Sequence, residues 1–283
     1  MRWVFVNGEL VEEAAARVPA LDRGLLYGYG LFETMRSYGG HLFRLQEHYR
    51  RLCEGAALLG LETPLSLPAL REAIRAVLER NGLTDASLRL TVTAGPSDAT
   101  EPSKAQVVLF ARGPTDYPEA LYERGMAAVI SPIRRNETSP LSRVKSLNYL
   151  DNLLAREEAR RQGADEAVLL NSQGFVAEGS ASNVFLVKGN ELLTPSVQSG
   201  ALPGITRQVV LELAPAAGLG SKEAEIEPEA LSEAGEAFLT SSLKEVMPLT
   251  MLDGRPLGSG RPGPVSKRLR RLYRELVVRE ASG

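Results

Sequence analysis

The sequence is poor in the residues from which several common kinds of site are built. Of its 283 residues, one is cysteine (Cys53) and two are histidine (His41 and His48). A single cysteine forms no internal disulfide, and this set is too small for a typical zinc site. We therefore expect a reducing, cytoplasmic location, no bound metal, and Cys53 as a small buried hydrophobic residue.

Long apolar runs and an excess of one charge are also missing. The 33 basic and 35 acidic residues leave a formal net charge of -2, which favours neither nucleic acid nor an anionic membrane as a partner. No apolar stretch is long enough to cross a bilayer, and the first residues show no signal peptide. No serine lies in a nucleophile-elbow pattern, which argues against a hydrolase triad. The composition is that of an ordinary globular enzyme.

The strand and helix patterns divide the chain into residues 1–119, a small α+β domain, and residues 120–283, a larger domain. Asn7-Gly8 is a hairpin signal, and residues 24–30 are interpreted as a glycine-rich aromatic loop. In the first part we predict strands at 3–7, 31–38, 87–93 and 106–111, helices at about 45–59 and 66–80, a polar loop at 95–103 and a linker at 114–119.

The second part is predicted to consist of strands with a few helices. We predict strands at 126–130, 165–170, 174–178, 183–187, 191–193 and 237–242, a loop at 132–142, and helices after 145, after 204 and at 264–278. The last helix is strongly basic on one side, and this basic face is expected to be solvated.

A polar segment carrying Lys145 precedes one of these helices directly. Lysines are more often solvated surface charges, but one held at the mouth of a packed helix is a candidate amine nucleophile. Such an amine forms a Schiff base with a carbonyl or with pyridoxal phosphate. The inward face of the helix is predicted from four residues at helical spacing: Leu147, Leu150, Leu154 and Ala155.

Four further stretches carry groups that suit a phosphorylated pyridine cofactor. Glu178 ends a strand before a turn of small residues, and a carboxylate beside a pyridine nitrogen favours the protonated, electron-withdrawing ring. Residues 203–206 open a helix, whose N–H groups and positive end suit a phosphate. The hydroxyls of residues 240–242 and the guanidinium of Arg51 are further phosphate ligands. Taken singly, each stretch also has an ordinary structural explanation.

Three motifs together resemble one family. They are Val144-Lys145-Ser146-Leu147-Asn148-Tyr149, Glu178-Gly179-Ser180-Ala181-Ser182-Asn183 and Gly200-Ala201-Leu202-Pro203-Gly204-Ile205-Thr206-Arg207. In this order and rough separation they are similar to those of the class IV (fold type IV) pyridoxal-phosphate aminotransferases. That superfamily includes branched-chain and D-amino acid aminotransferases, (R)-selective amine transaminases and aminodeoxychorismate lyases.

The resemblance extends from Asn7 to about Pro248 and implies a fold, a cofactor and an assembly. The implied fold is a two-domain α+β or α/β fold with a small N-terminal α/β domain and a larger pseudo-barrel domain. The implied cofactor is pyridoxal 5′-phosphate. Members of the family are usually homodimers, in which a loop of one subunit closes the site of the other.

The resemblance also implies roles for individual residues. Lys145 would hold the cofactor as a Schiff base and move the proton at the substrate Cα. Glu178 would pair with the pyridine nitrogen, and Tyr149 would hydrogen-bond the phenolic oxygen of the ring. The phosphate would be bound by Arg51, Gly204, Ile205, Thr206, Ser241 and Ser242.

For the substrate-binding residues, the resemblance leaves several alternatives open. Tyr27 and Phe32 match positions that face the substrate, and Arg89, ahead of Arg36, is expected to hold its carboxylate. For either arginine, an ion pair within the protein is the alternative. Ser87 stands where branched-chain enzymes have a tyrosine, and the loop at 95–103 lacks the familiar substrate-binding patterns.

We therefore keep three hypotheses for the function. The leading one is amino transfer between an α-amino acid and a 2-oxo acid. The second is 4-amino-4-deoxychorismate lyase, which releases pyruvate and gives 4-aminobenzoate, and Thr34 is more typical of these lyases. The third is a binding protein that has kept the fold without the chemistry. The substrate side chain and its handedness stay open.

Overall fold

The computed structural model describes residues 2–63, 65–96, 104–113 and 117–282. The chain divides into two compact units. Unit 1 consists of Met1–Thr115, Val144–Asn148 and Glu280–Gly283, and unit 2 of Asp116–Arg143 and Tyr149–Arg279. Most of the predicted loop at 95–103, and residues 114–116 of the predicted linker, lie outside the described residues. The domain boundary predicted at residue 119 stays a prediction, since compactness alone does not define an independently folding domain.

Unit 1 is built on an antiparallel sheet with two long helices. Its strands are β1 (Trp3–Val6), β2 (Glu9–Glu12), β3 (Gly30–Tyr38), β4 (His41–Leu42), β5 (Ala86–Thr93) and β6 (Gln106–Arg112). Its helices are α1 (Arg23–Tyr27), α2 (Leu45–Leu58) and α3 (Leu67–Asn81). In the described part of the chain, the six strands pair in the order β2-β1-β6-β5-β3-β4.

The two faces of the unit 1 sheet carry different kinds of residue. Apolar residues such as Leu31, Met35 and Leu90 alternate along β3 and β5 and are almost completely buried, on the side covered by α2 and α3. The opposite face carries Phe32, Thr34 and Arg36 of β3 with Thr91, Arg89 and Ser87 of β5 as their respective cross-strand partners. This second face therefore presents the residues that the sequence associates with the substrate.

Unit 2 is dominated by a larger mixed sheet. Its strands are β7 (Met126–Arg135), β8 (Glu166–Asn171), β9 (Val176–Gly179), β10 (Asn183–Lys188), β11 (Glu191–Pro195), β12 (Gly220–Ala224), β13 (Glu236–Ser241), β14 (Glu245–Leu252) and β15 (Arg255–Pro256). The remaining helices are α4 (Glu119–Arg124), α5 (Leu150–Arg161), α6 (Ile205–Leu213), α7 (Pro228–Ser232) and α8 (Pro264–Ser282).

The unit 2 sheet curls into a partial barrel. In the order β12-β11-β10-β13-β14-β7-β8-β9 the last strand, β9, also contacts β10 and β11. The curl encloses an apolar core that includes Leu186 of β10 and Leu239 of β13. On the opposite face of these two strands, the rings of Phe185 and Phe238 stack with centroids 5.0 Å apart. Antiparallel pairing places the start of β10 next to the end of β13, where Asn183 pairs with Thr240.

The prediction for the helix that follows Lys145 was partly wrong. The helix, α5, begins at Leu150, and Leu150 and Leu154 are 65% and 48% exposed rather than packed inward. The buried residues of α5 are Asn152, Ala155 and Ala159, which face β7 and β8. Hydrophobic periodicity predicted that the leucines would face inward. The smaller alanines face the sheet instead, because they allow the helix and the sheet to approach more closely.

Other differences have local causes. Residues 23–27 form α1 instead of a loop, because the Asp22 side chain accepts a hydrogen bond from Gly24 N and caps the helix. Strand β7 continues to Arg135 where a loop was predicted; Pro132 lies where the pairing of β7 with β8 shifts register. The elements α4, β12, α7, β14 and β15 were not predicted.

The basic face of α8 is not simply solvated, contrary to expectation. The Arg270 side chain is only 13% exposed and forms an ion pair with Glu119. Arg274 Nε donates to the buried Glu245 at 2.9 Å. These pairs tie α8 to α4 and to the start of β14. Within the described part of the chain, no helix has both the length and the apolar character that a membrane span needs.

Candidate active site

Lys145 is held in place through its backbone. Phe32 N donates to Lys145 O at 2.9 Å, Leu147 N donates to Gly30 O at 2.9 Å, and Leu31 and Ser146 form a bridge. Residues 144–148 therefore run as a short strand-like segment along β3 within unit 1. The lysine is fixed by main-chain hydrogen bonds to a strand, and not by the helix that follows it.

Two cationic side chains lie against the ring of Phe32. Lys145 Nζ lies 4.5 Å from the ring centroid, and the Arg89 guanidinium lies 3.6 Å from it. Cations at such distances are attracted to the negative face of an aromatic ring. Three residues that the sequence assigned to the site, Lys145, Phe32 and Arg89, are therefore neighbours in the structure.

Arg51 lies in a buried network of charges. Its Nε and Nη2 donate to the two carboxylate oxygens of Glu33 at 2.8 and 2.6 Å, and His48 Nδ1 lies 2.7 Å from Glu33 Oε2. Burial alone would raise the pKa of Glu33, but Arg51 and His48 outweigh it and lower that pKa to about 2. Glu33 is therefore ionised at neutral pH and fixes the guanidinium of Arg51.

Glu178 is a buried carboxylate with two partners in unit 2. Leu202 N donates to its Oε2 at 2.9 Å, and Arg135 Nε lies 3.3 Å from its Oε1. Arg135 is itself held by the carbonyls of Gly200 and Ser142. The second and third sequence motifs are thus joined by a direct hydrogen bond.

The start of α6 presents backbone N–H groups. No side chain caps this nine-residue helix, whose N-cap is Gly204 and whose first residues are Ile205 and the buried Thr206. A Cβ at Gly204 would overlap the Asn183 side chain, which donates to Leu202 O at 2.8 Å. Glycine therefore allows the helix start to approach β10, and a helix start without a side-chain cap has the N–H groups that anion-binding sites use.

Tyr149 and Ser241 flank the turn that follows Glu178. Tyr149 OH donates to Ser180 O at 2.7 Å. Burial raises the pKa of Tyr149, and the negative charges of Glu178 and Glu166 raise it further, so the phenol stays protonated at neutral pH. Ser241 ends β13 and accepts a hydrogen bond from Lys244 N at 3.1 Å, with Ser242 as the next residue.

The other two substrate candidates do not join the Phe32 cluster. Arg36 stacks over the Tyr38 ring at 4.6 Å on the same face of the sheet. Tyr27 ends α1 and is 70% exposed. The arginine next to the catalytic candidate is therefore Arg89.

Comparison with known proteins decides the family. Residues 30–252, well over half of the chain, match the family described as Amino-transferase class IV. The chain belongs to this family. Its membership agrees with the lysine, carboxylate and helix-start geometry, and it makes the protein an enzyme, an aminotransferase. The relatives found do not favour the lyase alternative.

Two curated relatives of this class IV aminotransferase cover almost the whole chain. A putative branched-chain-amino-acid aminotransferase of Methanocaldococcus jannaschii is 37% identical over 96% of each chain. A D-alanine aminotransferase of Bacillus licheniformis is 34% identical over 99% of this chain and 98% of its own.

A solved structure agrees at the level of the fold. The branched-chain amino acid aminotransferase of T.th. with pyridoxamine 5′-phosphate has a TM-score of 0.91 and 34% identity, with 98% of this chain and 94% of that chain covered. The predicted two-domain fold type IV architecture is confirmed.

Sequence reasoning missed the partners of the predicted site residues. Glu33 occupies an inward position of β3 between the apolar Leu31 and Met35. An acid at such a position needs a buried cation, and this signal was available from the strand alternation. Arg135 had no such signal, because it was placed in a predicted loop.

The Glu33 network generates a prediction about acid stability. We expect Glu33→Gln to lower the free energy of unfolding by about 3–5 kcal/mol at pH 7, because Arg51 then stays buried without its charge partner. Glu33 stabilises the fold above its unfolded pKa of 4.5, and this contribution is lost as pH falls towards the folded value of about 2. The difference between wild type and variant should therefore shrink below pH 4.5, measured by urea unfolding at a series of pH values.

The matched control is Glu54→Gln. Glu54 lies in the exposed pair with Arg50, at 4.0 Å, and its loss should change stability by less than about 0.5 kcal/mol at any pH. An equal effect of both variants, or a Glu33→Gln effect that does not change with pH, would contradict the assignment.

Proposed function

We propose that this aminotransferase uses pyridoxal 5′-phosphate to move the amino group between an α-amino acid and a 2-oxo acid, with Lys145 as its catalytic amine. The observation that carries the proposal is the fixed amine of Lys145 over the Phe32 ring. The T.th. enzyme, which contains pyridoxamine 5′-phosphate, supports the choice of cofactor.

The residues of the chain fit this cofactor chemically. The uncapped start of α6 offers N–H groups to a phosphate, and the buried carboxylate of Glu178 suits the nitrogen of a pyridine ring. Arg51, held by its ion pair with Glu33, and the hydroxyls of Ser241 and Ser242 are the proposed further phosphate ligands.

When bound, pyridoxal phosphate supplies an aldehyde that condenses with amines and a ring that takes up electrons from the substrate Cα. In this proposal, Lys145 supplies the amine and moves the proton at Cα. Glu178 keeps the ring nitrogen protonated, and Arg135 and Leu202 N hold Glu178 in one orientation. Tyr149, a protonated phenol, would hydrogen-bond the phenolic oxygen of the ring.

The proposed substrate is an amino acid with an aliphatic side chain. The relatives named above are a putative branched-chain-amino-acid aminotransferase and a D-alanine aminotransferase, and the amino acids in both names have aliphatic side chains. Arg89 is the proposed ligand of the substrate carboxylate, because its guanidinium lies against the same ring as Lys145. Ser87, smaller than a tyrosine, leaves more room on this face, and Arg36 remains a second proposed carboxylate ligand.

We also propose a homodimer. The segment 21–27 exposes four large apolar residues: Leu21 (68%), Leu25 (71%), Leu26 (49%) and Tyr27 (70%). A contiguous apolar surface of this kind is typical of a protein interface. In a dimer this segment would be covered, and Tyr27 at its end would reach the substrate of the partner. A cytoplasmic location stays a prediction from the sequence.

Lys145 is the first residue to test. Purified protein should absorb in the visible range after addition of pyridoxal phosphate, and Lys145→Ala should lose both this band and all amino transfer, while Lys222→Ala keeps both. The wild type should then be screened with L-amino acids, D-amino acids, (R)-amines and aminodeoxychorismate, with conversion of the cofactor to its amine form as the signal. Conversion by no amino acid of either hand, or release of pyruvate from aminodeoxychorismate without an acceptor, contradicts the proposal.

Glu178 should affect the chemistry more than the binding. Glu178→Gln keeps the shape of the side chain but removes its charge, so the ring nitrogen loses the anion that favours its proton. We expect cofactor to remain bound and kcat to fall about 100- to 1,000-fold, the usual cost of losing a key electrostatic partner. Steady-state kinetics and cofactor absorbance measure the two effects. The exposed Glu191 is the control, and an unchanged kcat for Glu178→Gln would exclude the assigned role.

The dimer prediction uses the segment 21–27. We expect wild type at twice the chain mass by light scattering, and the double variant Leu25→Glu, Leu26→Glu at the chain mass, because two charges in a closed interface are costly. Leu58 is also exposed but lies on α2 and not in the segment 21–27, so Leu58→Glu should leave the dimer intact. A monomeric wild type, or a double variant that stays dimeric, would rule out this interface.

A further inference from the structure

A buried ion pair in unit 2 takes no part in the chemistry proposed above. Lys244 Nζ lies 2.6 Å from Glu166 Oε2, and the two residues are 2% and 0% exposed. Full burial of lysine and glutamate is rare, because each loses its hydration. Such a pair is retained where its groups hold something else in place.

The Glu166 carboxylate holds the turn that directly follows Glu178. Ser180 Oγ donates to its Oε1, and Ser182 Oγ donates to its Oε2 at 3.1 Å. Ala167 N completes the set with a bond to Oε1 at 3.1 Å. Both hydroxyls of the turn are therefore bound to one carboxylate.

The same turn is the anchor of Tyr149. Ser180 O accepts hydrogen bonds from Tyr149 OH at 2.7 Å and from Asn152 Nδ2 at 2.9 Å. A movement of Ser180 would therefore displace the phenol of Tyr149 as well as the end of β9, where Glu178 lies. Glu166 is therefore connected to two cofactor-binding candidates, Glu178 and Tyr149, through Ser180.

Lys244 connects a third candidate group to this network. It lies in the turn between β13 and β14, its backbone N donates to Ser241 Oγ at 3.1 Å, and its carbonyl accepts from Tyr122 OH at 3.0 Å. The Lys244 side chain extends to Glu166 and forms the ion pair with it. The ion pair thus joins the hydroxyl turn at 241–244 to the turn at 179–182.

The negative charge of Glu166 is favoured by its surroundings. Burial would raise the pKa of Glu166, but Lys244 and the hydroxyl and amide donors outweigh burial and hold that pKa below its usual value. As an anion, Glu166 is an acceptor only, so Ser180 and Ser182 must both point their protons at it. Loss of Lys244 would move the pKa of Glu166 upward, because burial would then be opposed by the hydrogen-bond donors alone.

We propose that Lys244 and Glu166 are positioning residues, which hold Glu178, Tyr149 and Ser241 in the geometry that pyridoxal phosphate requires. The proposal rests on the proposed function of the site. Outer residues that orient binding groups typically change affinity or activity by about 10- to 100-fold when they are removed. We expect effects of this size on the affinity for pyridoxal phosphate.

The decisive variant is Lys244→Met, Glu166→Leu, which replaces the pair by apolar residues of similar size. Such replacements are often neutral or stabilising as far as the two charges are concerned. Because Ser180, Ser182 and Ala167 N lose their acceptor, the melting temperature of the apoenzyme should fall, and affinity is measured at a temperature at which both apoenzymes are fully folded. The dissociation constant of pyridoxal phosphate, measured by absorbance titration of the apoenzyme, should nevertheless rise by about 10-fold or more. The kcat of reconstituted enzyme should fall by a similar factor, with the KM for the amino acid unchanged.

A milder variant and a control complete the design. Ser182→Ala removes one donor from Glu166 without leaving a buried charge unpaired, and it should weaken pyridoxal phosphate binding in the same direction by a smaller factor. If the double variant does not fold, Ser182→Ala decides the question. Lys222→Met, at an exposed lysine, should change neither affinity nor melting temperature.

The outcomes separate this inference from the proposed function. If wild type binds no pyridoxal phosphate, the proposed function fails. If wild type binds it and both the double variant and Ser182→Ala bind equally well, the pair serves packing only and the positioning role is overturned. A loss of affinity that disappears at a temperature at which both apoenzymes are fully folded would likewise mark a purely structural role.

Discussion

The main-chain hydrogen bonds between residues 144–148 and β3 are the constraint on which the proposed chemistry depends. Lysine has a long, flexible side chain, and an amine that reacts at a defined atom must start from a fixed backbone. Phe32 N and Gly30 O hold the segment from one strand edge, and the Phe32 ring from the same strand lies beside the amine. One strand therefore sets both the lysine and its aromatic neighbour.

A second feature is the repeated pairing of a buried carboxylate with a cation that is largely shielded from solvent. Glu33 pairs with Arg51, Glu178 with Arg135 and Glu166 with Lys244, and each acid also accepts hydrogen bonds from other donors. Pairs of this kind contribute little net stability, because desolvation offsets attraction. They restrict orientation instead, which is what a site that must align several groups requires.

The sequence predicted the elements wherever the local signal was strong. The hairpin at Asn7-Gly8, the alternation along β5 and the start of α3 next to Ser66 are set by neighbours in the chain, and they appear as expected. The outward face of α5 was missed for a physical reason. Periodicity shows that Leu150 and Leu154 share a side of the helix, but it cannot show whether the rest of the chain covers that side.

For the candidate site too, the sequence predicted the residues that lie in short motifs and missed their distant partners. Lys145, Glu178 and the helix start at 204–206 are properties of short motifs, in which a residue type and its neighbours already imply a chemical role. Their partners are not, because Glu33 and Arg51 are 18 residues apart and Glu166 and Lys244 are 78 residues apart. Pairing over such separations depends on the path of the whole chain.

The sequence by itself thus determined the candidate reacting groups, the family and the order of the main elements, since each depends on residues close together in the chain. Only the tertiary structure decided which strand holds Lys145, which cation faces each buried acid and which apolar faces stay uncovered. These depend on how distant segments pack, and the free energy of burying a charge or a leucine is set by surroundings that no local pattern records.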